Sequence, residues 1–449
     1  MTGLNVVFGS VLKVSSLVLT VLIPMVATRL LPRDQAAQVL IAISTATLVA
    51  VVAQAGLPWT ISRRVSLVRV GRLPIDALGS DLLTASACLL GILVLLIAAV
   101  LPPWGIDPGW IVPEGSPLLA TAILTAGIAR AWSRVLSEAN KGFGQVNSAS
   151  VSADLAGPAL GLVLVAILGL VVRSETSSTE IGWALALGWI GAVGIALRTI
   201  PVRIPLRVAA FAPRRLLREG ALVLGIISIL NVGIQQVHVI IAGYVLGLDE
   251  AAVFSTAARL ASLTGAPLMI IAGIATPDIG TALQSRDENQ IAVVQLRLQR
   301  LTGAFFVAGS ALCLLFAVWG SSILGLLFGR EYAAGHAMLV VLAIGPLGSL
   351  FAGVAGLALT LAGAQRRLLA ITLVGSAVAV VSMVAGAFAF GGIGLSVGYS
   401  VGQLGINILL LRSSRKVLGF SPMANPIAAT LWVLRGLAHR LARSTGGKA

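Results

Sequence analysis

The sequence predicts an all-α polytopic membrane protein: about twelve transmembrane helices in two parallel-repeat six-helix bundles around a central cavity. Three observations carry this. Of 449 residues, 57% are apolar and only 10% are Asp, Glu, Lys or Arg, against roughly 25% charged in soluble domains. Apolar stretches of the roughly 20 residues needed to cross hydrocarbon recur along the whole chain. The basic residues fall alternately on one side of those stretches, as the positive-inside rule demands.

Taken in order, the spans are expected near 5 to 28, 37 to 57, 81 to 101, 118 to 138, 149 to 172 and 181 to 198, then 219 to 245, 252 to 280, 301 to 319, 336 to 362, 368 to 390 and 393 to 411. The first contains Lys13 and runs on without a small-residue cleavage site, the pattern of a retained signal anchor. The connections then test the count, because one helix too many or too few would invert every later loop. The loop after span 2 carries Arg63, Arg64, Arg69 and Arg72, that after span 4 Lys141, and that after span 6 Arg198 to Arg218. Arg286, Arg297 and Arg300 follow span 8, Arg366 and Arg367 follow span 10, and seven cations lie in the tail. Together these connections hold 23 of the 31 basic residues. The alternate loops hold only Arg29, Arg33, Arg173 and Arg330. Both termini are therefore expected in the cytoplasm.

The organisation that follows is an N-terminal lobe over 1–198, an amphipathic linker over 199–218, a C-terminal lobe over 219–412 and a basic amphipathic tail over 413–449. The stretches 203–218, 284–300 and 427–443 have the character of helices lying in the headgroup plane against anionic lipid. A repeat supports the two lobes. Asp34, Ala36 and Ala37 fall on Asp249, Ala251 and Ala252 at an offset of 215, and Ile181-Gly182 falls on Ile393-Gly394 at 212. Parallel repeats related by an axis along the membrane normal are a transporter architecture.

Several classes are set aside. Cys88 and Cys313 lie in apolar runs, and His238, His336 and His439 have no metal-ligand spacing. The formal charge of +15 is spread through the connections instead of gathered on one module, so no nucleic-acid partner is expected. Gly392-Ile393-Gly394 opens a span and follows no strand, and no phosphate-binding Gly-Lys-Ser/Thr loop exists. No cofactor is expected; transport would draw on an H+ or Na+ gradient or on the substrate's own.

Ionisable groups inside spans cost about 2.5 to 3.5 kcal/mol each on insertion scales, and usually face a cavity or a partner. Lys13 in span 1 and Arg259 in span 8 occupy equivalent hairpins of the two halves and are the leading substrate-binding candidates, with headgroup snorkelling or a buried carboxylate as the alternative. Arg130, Arg134 and Glu138 share a face of span 4. An intrahelical Arg134–Glu138 pair is expected there, and Arg130 is the further substrate-binding candidate. Asp154 and Asp278 could partner these arginines or bind a coupling ion. Asn231, Gln235, Gln236 and His238 in span 7, with Gln403 and Asn407 in span 12, suit either sugar hydroxyls or interhelical hydrogen bonds, with Asn231 and Gln235 the substrate-binding candidates. Gly157 and Gly161, and Gly394, Gly398 and Gly402, have the spacing of close helix contacts.

The Lys13 helix ending in Arg29-Leu30-Leu31-Pro32, Gly56-Leu57-Pro58, the stretch from Glu250 to Leu260, Leu327-Phe328-Gly329 with Glu331-Tyr332, Leu361-Ala362-Gly363 with Arg366-Arg367, and Gly391-Gly392-Ile393-Gly394 together resemble the polysaccharide-transporter, or Wzx-type flippase, branch of the multidrug/oligosaccharidyl-lipid/polysaccharide (MOP) exporter superfamily. The resemblance covers nearly the whole chain. Members often place glycine and then an aromatic in the two repeated loops, where this sequence has Ala37 and Ala252, with Phe254 in the second only. The resemblance implies outward movement of a polyprenyl-pyrophosphate-linked oligosaccharide across a bacterial inner membrane by rocking of two bundles, with membrane lipids and polysaccharide assembly proteins as partners. It also implies that Lys13 matches a basic position of the first helix, and that Arg259 lies on the helix that supplies cavity arginines.

Two rivals remain. An ion-coupled multidrug exporter of the same superfamily would share the plan, but usually relies on a first-lobe carboxylate; span 1 has no acid and carries Lys13. A membrane glycosyltransferase or polymerase would want a substantial outer loop. The longest outer connections, 102–117 and 320–335, hold only Asp107, Glu114, Arg330 and Glu331. No enzyme activity is expected.

Overall fold

A computed structural model describes residues 3–101, 107–172, 176–201, 221–285, 288–419 and 422–431. The described residues are overwhelmingly helical, with no strand among them. Ten helices among them are long and apolar enough to cross a membrane. Two further spans reconcile this with twelve. The fourth expected span is a helix of 26 residues, about 39 Å long at 1.5 Å per residue, whose arginines lower its hydropathy. The last of the ten, Gln365–Val417, breaks at Phe390 and Gly391 into two arms.

The chain divides into two compact units, Met1–Arg259 with Leu324–Ala333, and Leu260–Ile323 with Ala334–Ala449. In the first unit, α1 (Gly3–Leu30) stops at Pro32, which stands at the N-cap of α2 (Arg33–Gln54). A proline there loses no helical hydrogen bond. The short α3 (Leu57–Arg69) follows, amphipathic and set among the loop arginines. Helix α4 (Ile75–Val100) starts after Pro74, and the side chain of Ser116 caps α5 (Pro117–Gly142) through the Leu119 amide. Helix α5 is the axis of this unit, with 17 buried residues packed against α2, α3, α4 and α8 (Ser178–Arg198). A reciprocal Ser177–Glu180 capping box opens α8.

The fifth span begins as α6 (Val146–Ser150), passes through a π-helical turn at Val151–Leu155 and continues as α7 (Ala156–Val172). Helices α7 and α8 touch backbone to backbone, as the small-residue spacing predicts. A Cβ on Gly188 would stand 2.5 Å from the Gly161 amide nitrogen, so no larger residue fits. Helices α9 (Ala221–Val245) and α10 (Leu248–Ser262) complete the unit, α9 packing on α2. The connection ahead of α5 is pinned to α2 and α9: Gln38 donates to the Glu114 carbonyl, Thr45 to that of Ile111, and Tyr244 to that of Gly109.

The second unit contains α11 (Pro267–Ser285), the 41-residue α12 (Glu288–Phe328), α13 (His336–Ala352), α14 (Ala355–Leu361) and α15 (Gln365–Leu418); the end of α12 belongs to the first unit. The expected span 252–280 is interrupted by a 3₁₀ turn at Leu263–Gly265. The stretch 284–300, expected as a separate surface segment, is a direct extension of α12 from Glu288 onward. At the bend in α15, Gly391 has φ +61, which glycine adopts without a Cβ penalty. Its two arms then meet closely: a Cβ on Gly398 would lie 2.4 Å from the Ser382 carbonyl oxygen. Ile271, Leu298, Leu350 and Ala358 centre the core of this unit.

The linker 203–218 and most of the tail 427–443 lie outside the described residues. One loop cation changes role. Arg64, counted among the orienting charges, is buried on α3 in an ion pair with Asp81 of α4.

Candidate functional site

A cavity of about 240 Å³ opens within the first unit, among α1, α2, α5, the π-helical turn, α8, α9 and the end of α10. Its α2 and α5 walls include the small side chains of Ala42, Ala46 and Ala126. Four strongly polar groups enter it: Arg130, Asp154, Gln236 and Arg259. Ser16 and Thr20 add hydroxyls from α1.

Both arginines are held by α2. The Arg130 Nη1 donates to Thr47 Oγ1, and the Arg259 Nη2 donates to Ser44 Oγ at 2.9 Å. Ser44 and Thr47 are three residues apart and so lie on one face of the helix, one turn apart. The Arg130 guanidinium also sits 5.1 Å from the centre of the Trp189 ring, a cation–π contact.

Asp154 takes one of its two expected roles, as partner of an α5 arginine, while the partner expected for Arg134 on its own helix changes. Asp154 accepts from Arg134 Nη1 at 2.5 Å, and Glu138 pairs with Lys141. The intrahelical Arg134–Glu138 pair is therefore not formed. A basic residue preceding an acid along a helix is the weaker order of the two, whereas Glu138 precedes Lys141. Asp278 lies in the second unit and pairs with Arg297 at 3.0 Å, not with the arginines of α5. The cavity is thus lined by two cations and one carboxylate that already has its own counter-ion outside the lining.

The remaining candidates separate. Lys13 is half-buried on α1, its carbonyl accepting from Ser16, and it stands one turn from the cavity lining instead of within it. Asn231 and Gln235 lie on an exposed face of α9, while their neighbour Gln236 enters the cavity. The Gln236 Oε1 is buried with no hydrogen-bond partner among the described residues, which leaves an acceptor for a ligand hydroxyl or amide. His238 is buried against the edge of Phe254, its Nδ1 near the Ile234 carbonyl. Ser44, Thr47 and Trp189 are not among the sequence-predicted site residues, because short hydroxyls and an indole in apolar helices carry no signal of their own. The 215-residue offset did contain one clue: Ser44 and Arg259 are equivalent positions under it. No cluster of potential metal ligands occurs among the described residues.

The described residues form a multi-helix bundle with a charged cavity inside one unit. The fold resembles an inward-facing multidrug resistance MATE family transporter of the MOP superfamily, with a TM-score of 0.74 at 16% identity over 92% of this chain and 98% of the other. An outward-facing MATE transporter follows at 0.67 and 17% identity, over 92% and 95%. The lipid II flippase MurJ, in an inward closed conformation, matches at 0.65 and 12% identity, over 91% and 87%. No protein-family model matches the sequence, and no curated protein does either. The chain is a multi-pass membrane protein with a MATE-like fold.

Proposed function

We propose that this protein is a flippase for a polyprenyl-pyrophosphate-linked oligosaccharide, a precursor of a cell-surface polysaccharide, moving it from the cytoplasmic to the outer leaflet. The observation that carries the reading is the charge balance of the cavity. Arg130 and Arg259 enter it, and its one acid is occupied by Arg134. A pyrophosphate head is multiply anionic and cannot cross hydrocarbon alone. Charge-assisted hydrogen bonds from fixed guanidinium groups lower that barrier, and the prenyl tail stays in lipid. Lys13, one turn from the lining on α1, supplies a further cation on the path. The exposed amides of Asn231 and Gln235 would cost several kcal/mol against hydrocarbon, so they favour a wet face of α9 where sugar hydroxyls pass. Membrane lipids and the proteins of polysaccharide assembly are the partners of such a function. The cytoplasmic membrane of a bacterium is its place, with both termini in the cytoplasm.

The second reading, export of organic cations driven by H+ or Na+, draws on the multidrug transporters that share the fold. It needs a free carboxylate in the first lobe, and Asp154 is the candidate for coupling there; its pairing with Arg134 counts against the reading. Asp278, paired in the second unit, is the weaker candidate. One experiment separates the two. Purified protein in sealed vesicles is given a fluorescent polyprenyl-pyrophosphate-linked sugar and, in parallel, a cationic dye under an H+ or Na+ gradient, without ATP. Movement of the lipid-linked sugar, lost in Arg130→Ala and Arg259→Ala proteins that insert normally, is expected. Dye export with no movement of the lipid-linked sugar overturns it.

A further inference from the structure

The Arg130 side chain is seated unlike that of a snorkelling arginine. Its guanidinium lies over the indole of Trp189, and its hydrogen-bond partner among the described residues is Thr47. A guanidinium has five N–H donors in a fixed plane. With one face covered by a ring and one donor spent on Thr47, its orientation is fixed and the remaining donors are left for an anion.

The ring is itself locked. Trp189 is 9% exposed on α8, and it occupies a notch in α7 that exists only because residue 157 is glycine. A Cβ on Gly157 would stand 2.4 Å from the indole Cδ2 and Cε3 atoms. The two helices are close at this level, since a Cβ on Gly188, the residue beside Trp189, would meet the Gly157 carbonyl oxygen at 2.6 Å. Helices α7 and α8 are therefore packed backbone to backbone at the level of the ring.

We infer that Trp189, seated in the Gly157 notch, is the positioning residue that aims Arg130 as an anion receptor in the cavity. This deepens the proposed function and rests on it for the identity of the anion. Arg130 lies over the Trp189 ring, and the ring also packs on α7 at Gly157. Trp189→Phe keeps a π face and should change little. Trp189→Leu keeps apolar volume but removes the quadrupole that attracts the cation, so the guanidinium swings free. Gly157→Ala acts from the other side by expelling the ring.

The test uses the full-length protein in detergent micelles, with two readouts on variants that match the parent in expression and thermal midpoint. The first is the rate of phenylglyoxal modification of Arg130, followed by peptide mass spectrometry, which needs no ligand. The second is binding of polyprenyl pyrophosphate. Trp189→Leu is expected to raise the modification rate several-fold and to weaken binding about tenfold, within the range of a partly desolvated cation–π contact. Trp189→Phe should stay near the parent in both. In an Arg130→Ala background, Trp189→Leu should add no further loss of binding, because a positioning residue acts only through what it positions. Equal modification rates in the Leu and Phe variants, or binding losses that multiply in the double variant, overturn the inference. If the parent protein fails to bind polyprenyl pyrophosphate while the modification rates still separate Leu from Phe, the flippase reading falls and the seat of Arg130 stands. If Trp189→Leu does not fold, Gly157→Ala is read on the same two scales with the same expected directions.

Discussion

Removing Asp81 while leaving Arg64 in place isolates the cost of a charge stranded inside the first unit. The Arg64 side chain is 2% exposed and that of Asp81 9%, so neither can be rescued by solvent after its partner is lost. Breaking a buried pair from one side costs about 3–5 kcal/mol, because the surviving charge keeps its desolvation penalty and loses its attraction. Asp81→Leu should therefore lower the unfolding free energy by that amount. The double variant Arg64→Met/Asp81→Leu removes both charges at similar volume and should lie near the parent, or above it by about 1–4 kcal/mol. The assay is reversible denaturant unfolding in mixed micelles, followed by tryptophan fluorescence, on the parent, both single variants and the double variant. A loss of less than about 1 kcal/mol for Asp81→Leu, the range of exposed pairs, would show that water reaches the pair. A double variant as unstable as the single one would show that the pair is held by shape and not by charge.

Two further outcomes are expected. Gly398→Val should unfold the α15 hairpin, since its first carbon already meets the Ser382 carbonyl oxygen; protease nicking between the arms reads this out, and an uncleaved, stable variant would refute the close approach. Asp154→Asn frees Arg134 from its counter-ion and adds one positive charge beside the cavity, so it should slow release of a bound polyprenyl pyrophosphate in stopped-flow measurements, and faster release would contradict a cationic site.

The span pattern was legible because hydrocarbon imposes a length on every helix, and Lys and Arg mark its ends. Helix α3 was not. Thirteen residues with Arg63, Arg64 and Arg69 look like a connection until Asp81 is seen to bury one of them. At the cavity, charge pointed to Arg130, Arg259 and Asp154, which line it, and equally to Lys13 and Asp278, which do not. Which amide of α9 enters the cavity was beyond it: Gln235 and Gln236 differ by one residue and so by about 100° of rotation, and only the packing of α9 on α2 decides between them. For Arg134 the spacing favoured Glu138, four residues on, and left Asp154 open as one of two other acids. Asp154 sits on another helix, in a π-helical turn, and no spacing along α5 can choose between it and Glu138.

Helix α2 contributes no charge to the cavity, yet Ser44 and Thr47 give it a hand on both of the cations there. Because the two hydroxyls ride on one rigid rod, any twist of that rod about its long axis swings both contacts by the same angle. The grip on each arginine is then loosened or restored in step, and a single mechanical motion would change the affinity of the chamber for a charged guest without any proton or metal arriving.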